Sequence, residues 1–158
     1  MKIAINGFGR IGRSVFRILE EQEDIEVVAI NDLFDYGALR YLLSYDTVMG
    51  PFGKSLTLED DHFVTAKGRV KLLSERNPTL LPWGDFGVDA VVEATGVFRR
   101  REQLEQPLAA GARHVVLTFP AKDPVDYTVV LGVNEEGLRP EHRIISNASC
   151  TTNCLAPM

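Results

Sequence analysis

The sequence predicts an α/β fold: a doubly wound, mostly parallel sheet with a small, partly antiparallel insertion. Three observations carry that expectation. Short β-branched apolar runs recur along the 158 residues, separated by stretches with helical spacing, the pattern of strands buried on both faces by helices. A glycine-rich turn, Gly7-Phe8-Gly9-Arg10-Ile11-Gly12, stands between the first apolar run and the first helical stretch. Residues 55–73 break the rhythm with short segments divided by turn signals, notably Lys67-Gly68.

The elements follow in order. Lys2–Asn6 is a short apolar run that ends in the glycine turn, so it reads as a strand. Ile11, Val15, Ile18 and Leu19 then recur at helical spacing. Ile25–Asn31 is β-branched and strand-like, which completes strand, helix and strand within about thirty residues, the length of a βαβ unit. Leu39, Leu42 and Leu43 predict a second helix; Ser55–Leu58, His62–Ala66 and Val70–Leu73 predict small strands. Asn77-Pro78 and Leu81-Pro82-Trp83-Gly84 have turn chemistry, with Trp83 expected as a packing anchor. Val88–Ala94 resumes the strands, Glu102–Ala110 predicts a helix that Gly111 would end, and His114–Thr118, Thr128–Leu131 and Ile144–Ser146 predict the last strands.

Composition narrows the function classes. Hydrophobic residues are 45% and charged residues 25%, ordinary globular usage that excludes a disordered tail, a collagen-like repeat or a coiled coil. Lys and Arg number 17 against 22 Asp and Glu, a net charge of −5, so no nucleic-acid partner is expected. The one basic run, Arg99-Arg100-Arg101, reads as a solvated loop entering a helix. No apolar run reaches the roughly 18 residues of a membrane span, and the first apolar stretch is too short for a signal peptide. A reducing, cytoplasmic location without membrane contact is the expectation. Two cysteines, Cys150 and Cys154, exclude a disulfide scaffold. Their spacing, with His62, His114 and His142 scattered, offers no metal site.

Two segments carry chemistry. Gly7, Gly9 and Gly12 fit the G-x-G-x-x-G pattern after a strand and at the mouth of a helix, the context of a Rossmann-type dinucleotide site. The helix N-terminus would offer N–H groups and partial positive charge to phosphates, and Arg10 adds a cation. The competing reading is a turn that packs helix on sheet without ligand. Asp32 ends the second strand about 20 residues past Gly12, where an acid accepts from ribose hydroxyls and repels a 2′-phosphate, favouring NAD over NADP; it could equally cap the next helix. The other segment is Ser146-Asn147-Ala148-Ser149-Cys150-Thr151-Thr152-Asn153-Cys154. Ser149 reads as an N-cap of a helix with Cys150 in its first turn, where the helix dipole favours a thiolate. Ser149 and Thr151 could hold a small anion beside it. Cys154, a turn deeper, reads as buried and structural. By spacing alone, a buried inert Cys150 is the better reading.

Together these residues resemble the glyceraldehyde-3-phosphate dehydrogenase family. The signatures are Ile5–Arg13 and Ser146–Pro157; Ile30-Asn31-Asp32, Tyr45-Asp46-Thr47, Ala94-Thr95-Gly96-Val97-Phe98, Ala110-Gly111-Ala112 and Gly132-Val133-Asn134 fall between them in the family's order. The resemblance makes Cys150 the family's catalytic cysteine. It implies an NAD-dependent, phosphorylating oxidation of glyceraldehyde 3-phosphate in glycolysis: the thiolate attacks the aldehyde, a thioester forms, and inorganic phosphate releases 1,3-bisphosphoglycerate. By matching positions, Arg10 and Ile11 would hold the pyrophosphate, Asp32 the ribose and Arg76 the adenine side. Thr95 and Gly96 would line the cofactor cleft, Thr118 would stand near the nicotinamide, and Ser149 and Thr151 would contact substrate or phosphate.

Two departures qualify this. Thr118-Phe119-Pro120 replaces the usual Ser-Ala-Pro, which would put a bulky ring near the cofactor side. Asp123–Val130 and Pro140–Ile144 are worded more like the erythrose-4-phosphate dehydrogenase branch, whereas Asn31-Asp32 and Gly96-Val97-Phe98 read like the glycolytic branch, which the assignment follows. The family's activating histidine and main phosphate-binding arginine would lie downstream of Met158. The expectation is therefore an NAD-binding domain over 1–148, the start of a catalytic domain over 149–158, no turnover by this chain alone, and a homotetramer for the full-length family member. The rival from another class is a non-catalytic nucleotide-binding module.

Overall fold

The computed structural model describes residues 1–158. The first strand, β1 (Lys2–Asn6), has all but its first residue buried, so it needs cover on both faces and lies inside the sheet. Helix α1 (Arg10–Leu19) follows the glycine turn, then β2 (Glu26–Asn31) and α2 (Tyr36–Ser44). A two-stranded antiparallel ribbon comes next, β3 (Tyr45–Asp46) with β4 (Gly50–Pro51). The strands β5 (Leu56–Glu59), β6 (His62–Thr65), β7 (Gly68–Leu73) and β8 (Ala90–Glu93) lead to two short helices, α3 (Arg101–Leu104) and α4 (Gln106–Ala109). The chain continues through β9 (His114–Leu117), β10 (Tyr127–Thr128), β11 (Ile144–Ser146) and α5 (Cys150–Leu155).

Nine strands form one sheet in the order β10-β11-β9-β8-β1-β2-β7-β6-β5. Pairing is parallel from β10 through to β7 and antiparallel only for β7-β6 and β6-β5. The winding leaves β1 in both directions, to β2 on one side and β8 on the other. This is a doubly wound Rossmann-type sheet whose switch point lies between β1 and β8.

Alternation along β1 builds the two faces. Ile3 and Ile5 join Phe8, Phe16, Val27, Ile30, Leu39, Leu43 and Phe63 on one side. Ala4 and Ala29 face the other, where their small side chains leave room for the fully buried Trp83 with Val88 and Val91. Trp83 is thus the packing anchor expected. Phe8, one residue into the glycine turn, stands edge-on to Phe16 at 5.6 Å and lies 6.0 Å from Phe63, which ties the turn to the first core. The guanidinium of the buried Arg17 donates to the carbonyls of Leu43 (2.5 Å) and Gly50 (2.8 Å) and lies over Phe52. One side chain of α1 thereby holds the end of α2 and the ribbon.

The partly antiparallel insertion expected over residues 55–73 is present, and it extends the main sheet because β7 pairs in parallel with β2. Other expectations need correction. Ile11 and Ile18 are 50% and 55% exposed, because α1 packs through Gly12, Phe16 and Leu19, a stripe that leaves them at its flank. The helix expected over Glu102–Ala110 is broken at Glu105, since Pro107 has no N–H for the carbonyl four residues back. The strand expected over Thr128–Leu131 shrinks to Tyr127–Thr128, as the Asn134 side chain takes the Val130 N–H and the Thr128 carbonyl. No helix is long and apolar enough to cross a membrane.

Phe63 joins the antiparallel extension to the turn core and has no exposed surface. Phe63→Ala should lower stability by about 3–5 kcal/mol, read as a fall in the urea midpoint with unchanged slope. An unmoved midpoint would mean that the extension packs independently of the turn.

Candidate functional site

Each of the strands β1, β2, β7 and β8 ends in a turn on the same side of the sheet, and the turns surround a cleft of about 370 Å³. β1 contributes Asn6, Gly7 and Gly9; β2 contributes Asn31, Asp32 and Leu33; β7 is followed by Glu75 and Arg76; β8 is followed by Ala94, Thr95, Val97 and Phe98. The volume lies within the range of small-ligand sites. Its place outside the carboxyl ends of parallel strands at a switch point is where such sheets take nucleotides.

The three glycines act differently. Gly7 has φ +93°, and a Cβ there would lie 2.6 Å from the Thr95 nitrogen. A Cβ on Gly12 would lie 2.1 Å from the Gly7 carbonyl oxygen, so this glycine lets α1 pack on the turn. Gly9 has nothing within 4 Å of a Cβ position; it keeps the mouth of the turn open. Gly9 is also the N-cap of α1 and supplies no side-chain acceptor, whereas Asp35 caps α2 and Ser149 caps α5. The first N–H groups of α1 have no intrahelical acceptor and no capping side chain, which suits phosphate oxygens.

Asp32 is half-buried, and its carboxylate accepts from the Phe8 N–H at 2.6 Å and the Phe34 N–H at 2.9 Å. It does not cap α2; Asp35 does, accepting from the Ala38 N–H at 2.8 Å. A carboxylate has about four acceptor sites, so Asp32 retains capacity for hydroxyl donors while bracing the glycine turn.

Beneath the cleft runs a buried polar chain. The Asn31 amide nitrogen donates to the Glu75 carbonyl (2.9 Å) and to Asn6 Oδ1 (2.8 Å), while Asn31 Oδ1 accepts from the Glu75 N–H (2.8 Å). The Asn6 amide nitrogen donates to Glu93 Oε2 at 2.6 Å. Glu93 Oε1 accepts from the Thr95 N–H (2.9 Å) and the Thr95 hydroxyl. Asn6, Asn31 and Glu93 are 1%, 5% and 1% exposed. Burial pushes the Glu93 carboxyl above its ordinary value, against the pull of the Thr95 and Asn6 donors. The sequence analysis assigns none of the three a role, Asn31 entering only in the Asn31-Asp32 wording, although a signal is present: each is the polar residue that closes the apolar, buried stretch of its strand.

Of the expected site residues, the cleft brings together Gly7, Gly9, Asp32, Arg76 and Thr95. Gly96, with φ +72°, lies in the turn beside it. Arg10 and Ile11 form the exposed first turn of α1, and Arg10 borders a neighbouring hollow with Arg13 and Tyr45. Thr118 directly follows β9, its N–H and hydroxyl directed at the Glu93 carbonyl (3.1 and 3.3 Å); it does not line the cleft. Phe119 does not line the cleft either. It packs with Leu104, Val115, Leu117 and Ile144, under the Arg99 guanidinium.

The cysteine turn stands apart from the cleft. Ala148 is buried with φ +57°, and α5 begins with Ser149 accepting from the Thr152 N–H at 3.0 Å. Cys150 and Cys154 are both exposed, and α5 has no buried residue. The expectation of a buried Cys154 is therefore wrong, and Cys150 is not buried either. Both follow from one cause: no face of α5 packs on the sheet, so its helical position confers no cover.

Comparison with known proteins agrees with this geometry. Residues 1–101 match the family described as glyceraldehyde 3-phosphate dehydrogenase, NAD binding domain. The glyceraldehyde-3-phosphate dehydrogenase of Thermotoga maritima is 52% identical over 159 residues, covering 99% of this chain and 47% of that protein. The same enzyme of Streptomyces coelicolor is 48% identical over 160 residues (100% and 47%), and that of Geobacillus stearothermophilus 49% over 158 (99% and 47%). The chain spans about half the length of the curated relatives it matches.

Glu93 gives a pH signature. Its native value lies above the unfolded one, so the folded state holds this proton to higher pH. The associated stability is complete below the ordinary carboxylate range and is lost as pH rises through the raised value. Asp46, held down by the Met49 and Val48 N–H groups, and Asp61, held down by Lys71, act oppositely at lower pH. Urea midpoints of wild type and Glu93→Gln should therefore be compared as a difference. That difference should change in favour of the variant as pH rises from about 4 to 8; a flat difference would refute the shift.

Proposed function

The chain belongs to the glyceraldehyde 3-phosphate dehydrogenase NAD-binding domain family, and from that premise we propose that it forms the cofactor-binding part of an NAD-dependent, phosphorylating aldehyde dehydrogenase. NAD is the cofactor of that family domain, and bound in the cleft it would supply the hydride acceptor. The observation that carries the reading is the uncapped N-terminus of α1 at a glycine turn whose Gly7 and Gly9 line one cleft with the Asp32 carboxylate.

In this reading the first-turn N–H groups of α1, with Arg10 and Ile11, hold the pyrophosphate. Asp32 accepts from the adenosine ribose, Arg76 borders the adenine side, and Thr95, Gly96 and Thr118 lie toward the reacting end. The negative charge of Asp32 opposes a 2′-phosphate, which favours NAD over NADP. The Cys150 thiolate adds to the aldehyde of glyceraldehyde 3-phosphate to give a thiohemiacetal. Loss of its hydride, for which NAD would be the acceptor, leaves a thioester whose acyl group passes to inorganic phosphate with release of the thiolate, so the oxidation energy is kept in 1,3-bisphosphoglycerate. Ser149 and Thr151 flank the sulfur and would contact substrate or phosphate; the exposure of Cys150 is consistent with access to both. The relatives' shared name supports the three-carbon substrate over erythrose 4-phosphate. Residues 1–148 would be the dinucleotide domain and 149–158 the opening of the catalytic one, in a cytoplasmic homotetramer.

Two measurements test this. Asp32→Ala should raise the calorimetric Kd for NAD about tenfold or more and narrow the gap to NADP; an unchanged preference would remove Asp32 from the ribose site. In the protein that carries this chain, NADH formation from glyceraldehyde 3-phosphate should require inorganic phosphate and vanish in Cys150→Ser. Phosphate-independent turnover would point instead to release of the acid by water.

A further inference from the structure

We propose that Glu93 is a positioning residue for the dinucleotide: its carboxylate, occupied on both oxygens by donors, sets the separation of the turns that surround the cofactor cleft. The proposal rests on the NAD-binding reading above and adds to it a residue that need not touch the cofactor.

The argument is one of hydrogen-bond polarity. Asn31 is bound to both the N–H and the carbonyl of Glu75, so its amide can take only one orientation. That places its nitrogen against Asn6, which must answer with Oδ1. The Asn6 nitrogen is then left facing Glu93, so Oε2 must accept. On the other side the Thr95 N–H can only donate, so Oε1 must accept as well. Position 93 therefore requires two acceptors. A carboxyl group meets that requirement; a carboxamide, whose nitrogen cannot accept, does not.

What the chain joins gives it a role beyond packing. Its members are the sequence neighbours of the assigned cofactor residues: Asn6 precedes Gly7, Asn31 precedes Asp32, Glu75 precedes Arg76, and Thr95 precedes Gly96. Gly7 and Thr95 are in backbone contact with no room for a methyl group. A donor placed at position 93 would force Asn6 to turn over, and the conflict would pass to Asn31 and then to the Glu75 backbone. The error would reach the phosphate turn, the ribose acid and the adenine side together.

Glu93→Gln is the informative change, since it keeps the shape and alters one acceptor into a donor. Asn6→Asp combined with Glu93→Gln restores every bond with the charge moved one residue along: the carboxamide at position 93 donates to the carboxylate at position 6, which also accepts from Asn31. Calorimetric Kd values for NAD and urea midpoints would be measured on the 158-residue chain. Wild type should bind NAD, and folded Glu93→Gln should bind about tenfold or more weakly. The double variant should return to within about threefold of wild type. The proposal is overturned if folded Glu93→Gln binds like wild type, or if the double variant recovers its midpoint without its affinity. Should the single variant fail to fold, the double variant decides alone: near-wild-type affinity supports the proposal, while weak binding or failure to fold overturns it. Wild type that binds no NAD would instead sink the functional reading, and this one with it.

Discussion

The backbone of Gly7 lies against the backbone of Thr95, with no space for even a Cβ between them. Much of the molecule follows from that approach. It fixes where β1 ends relative to β8, and those two strands are where the sheet begins to wind in opposite directions. It aims the chain so that Phe8 drops into the core while its N–H reaches Asp32. It also sets the start of α1, whose second close packing, Gly12 on the Gly7 carbonyl, leaves the helix end pointing at the open side of Gly9. Cleft, helix end and acid are thus consequences of one steric limit.

Such a site places polar groups where a parallel sheet is otherwise driest. β1, β2 and β8 are apolar along their buried lengths and polar only at the last residue. Burial of two carboxamides and a carboxylate is tolerable because each finds partners in the others or in backbone. The same low-dielectric setting makes the arrangement unforgiving, since an unmatched donor there has no water to turn to. Rigidity at the base of the cleft and intolerance of substitution have the same origin.

Much of this was legible in the residues. The first βαβ unit, the glycine turn, the acid just past the second strand and the Ser149 cap depend on local periodicity and turn chemistry, which the sequence displays directly. Parallel pairing of β7 with β2 was not legible, because partner choice between strands is tertiary. The Tyr45–Asp46 ribbon was too short to show a period. The break at Glu105 could have been read from Pro107. Asn6, Asn31 and Glu93 escaped because a polar residue after an apolar run looks like a terminator until its neighbours in space are known. The exposure of Cys154 shows the converse limit: helical position indicates a face, and says nothing of what covers it.

The strand order has one more consequence. The sheet ends at β5, four residues with a charged terminus, and at β10, only two residues long. Open edges are the usual templates on which a foreign strand adds itself, and short or charged ones offer few ladder bonds to an intruder. The long apolar strands, which would be hazardous if unpaired, are all interior. Nine strands are therefore carried with little tendency to grow into a tenth borrowed from another molecule, and any association between copies is left to side-chain surfaces.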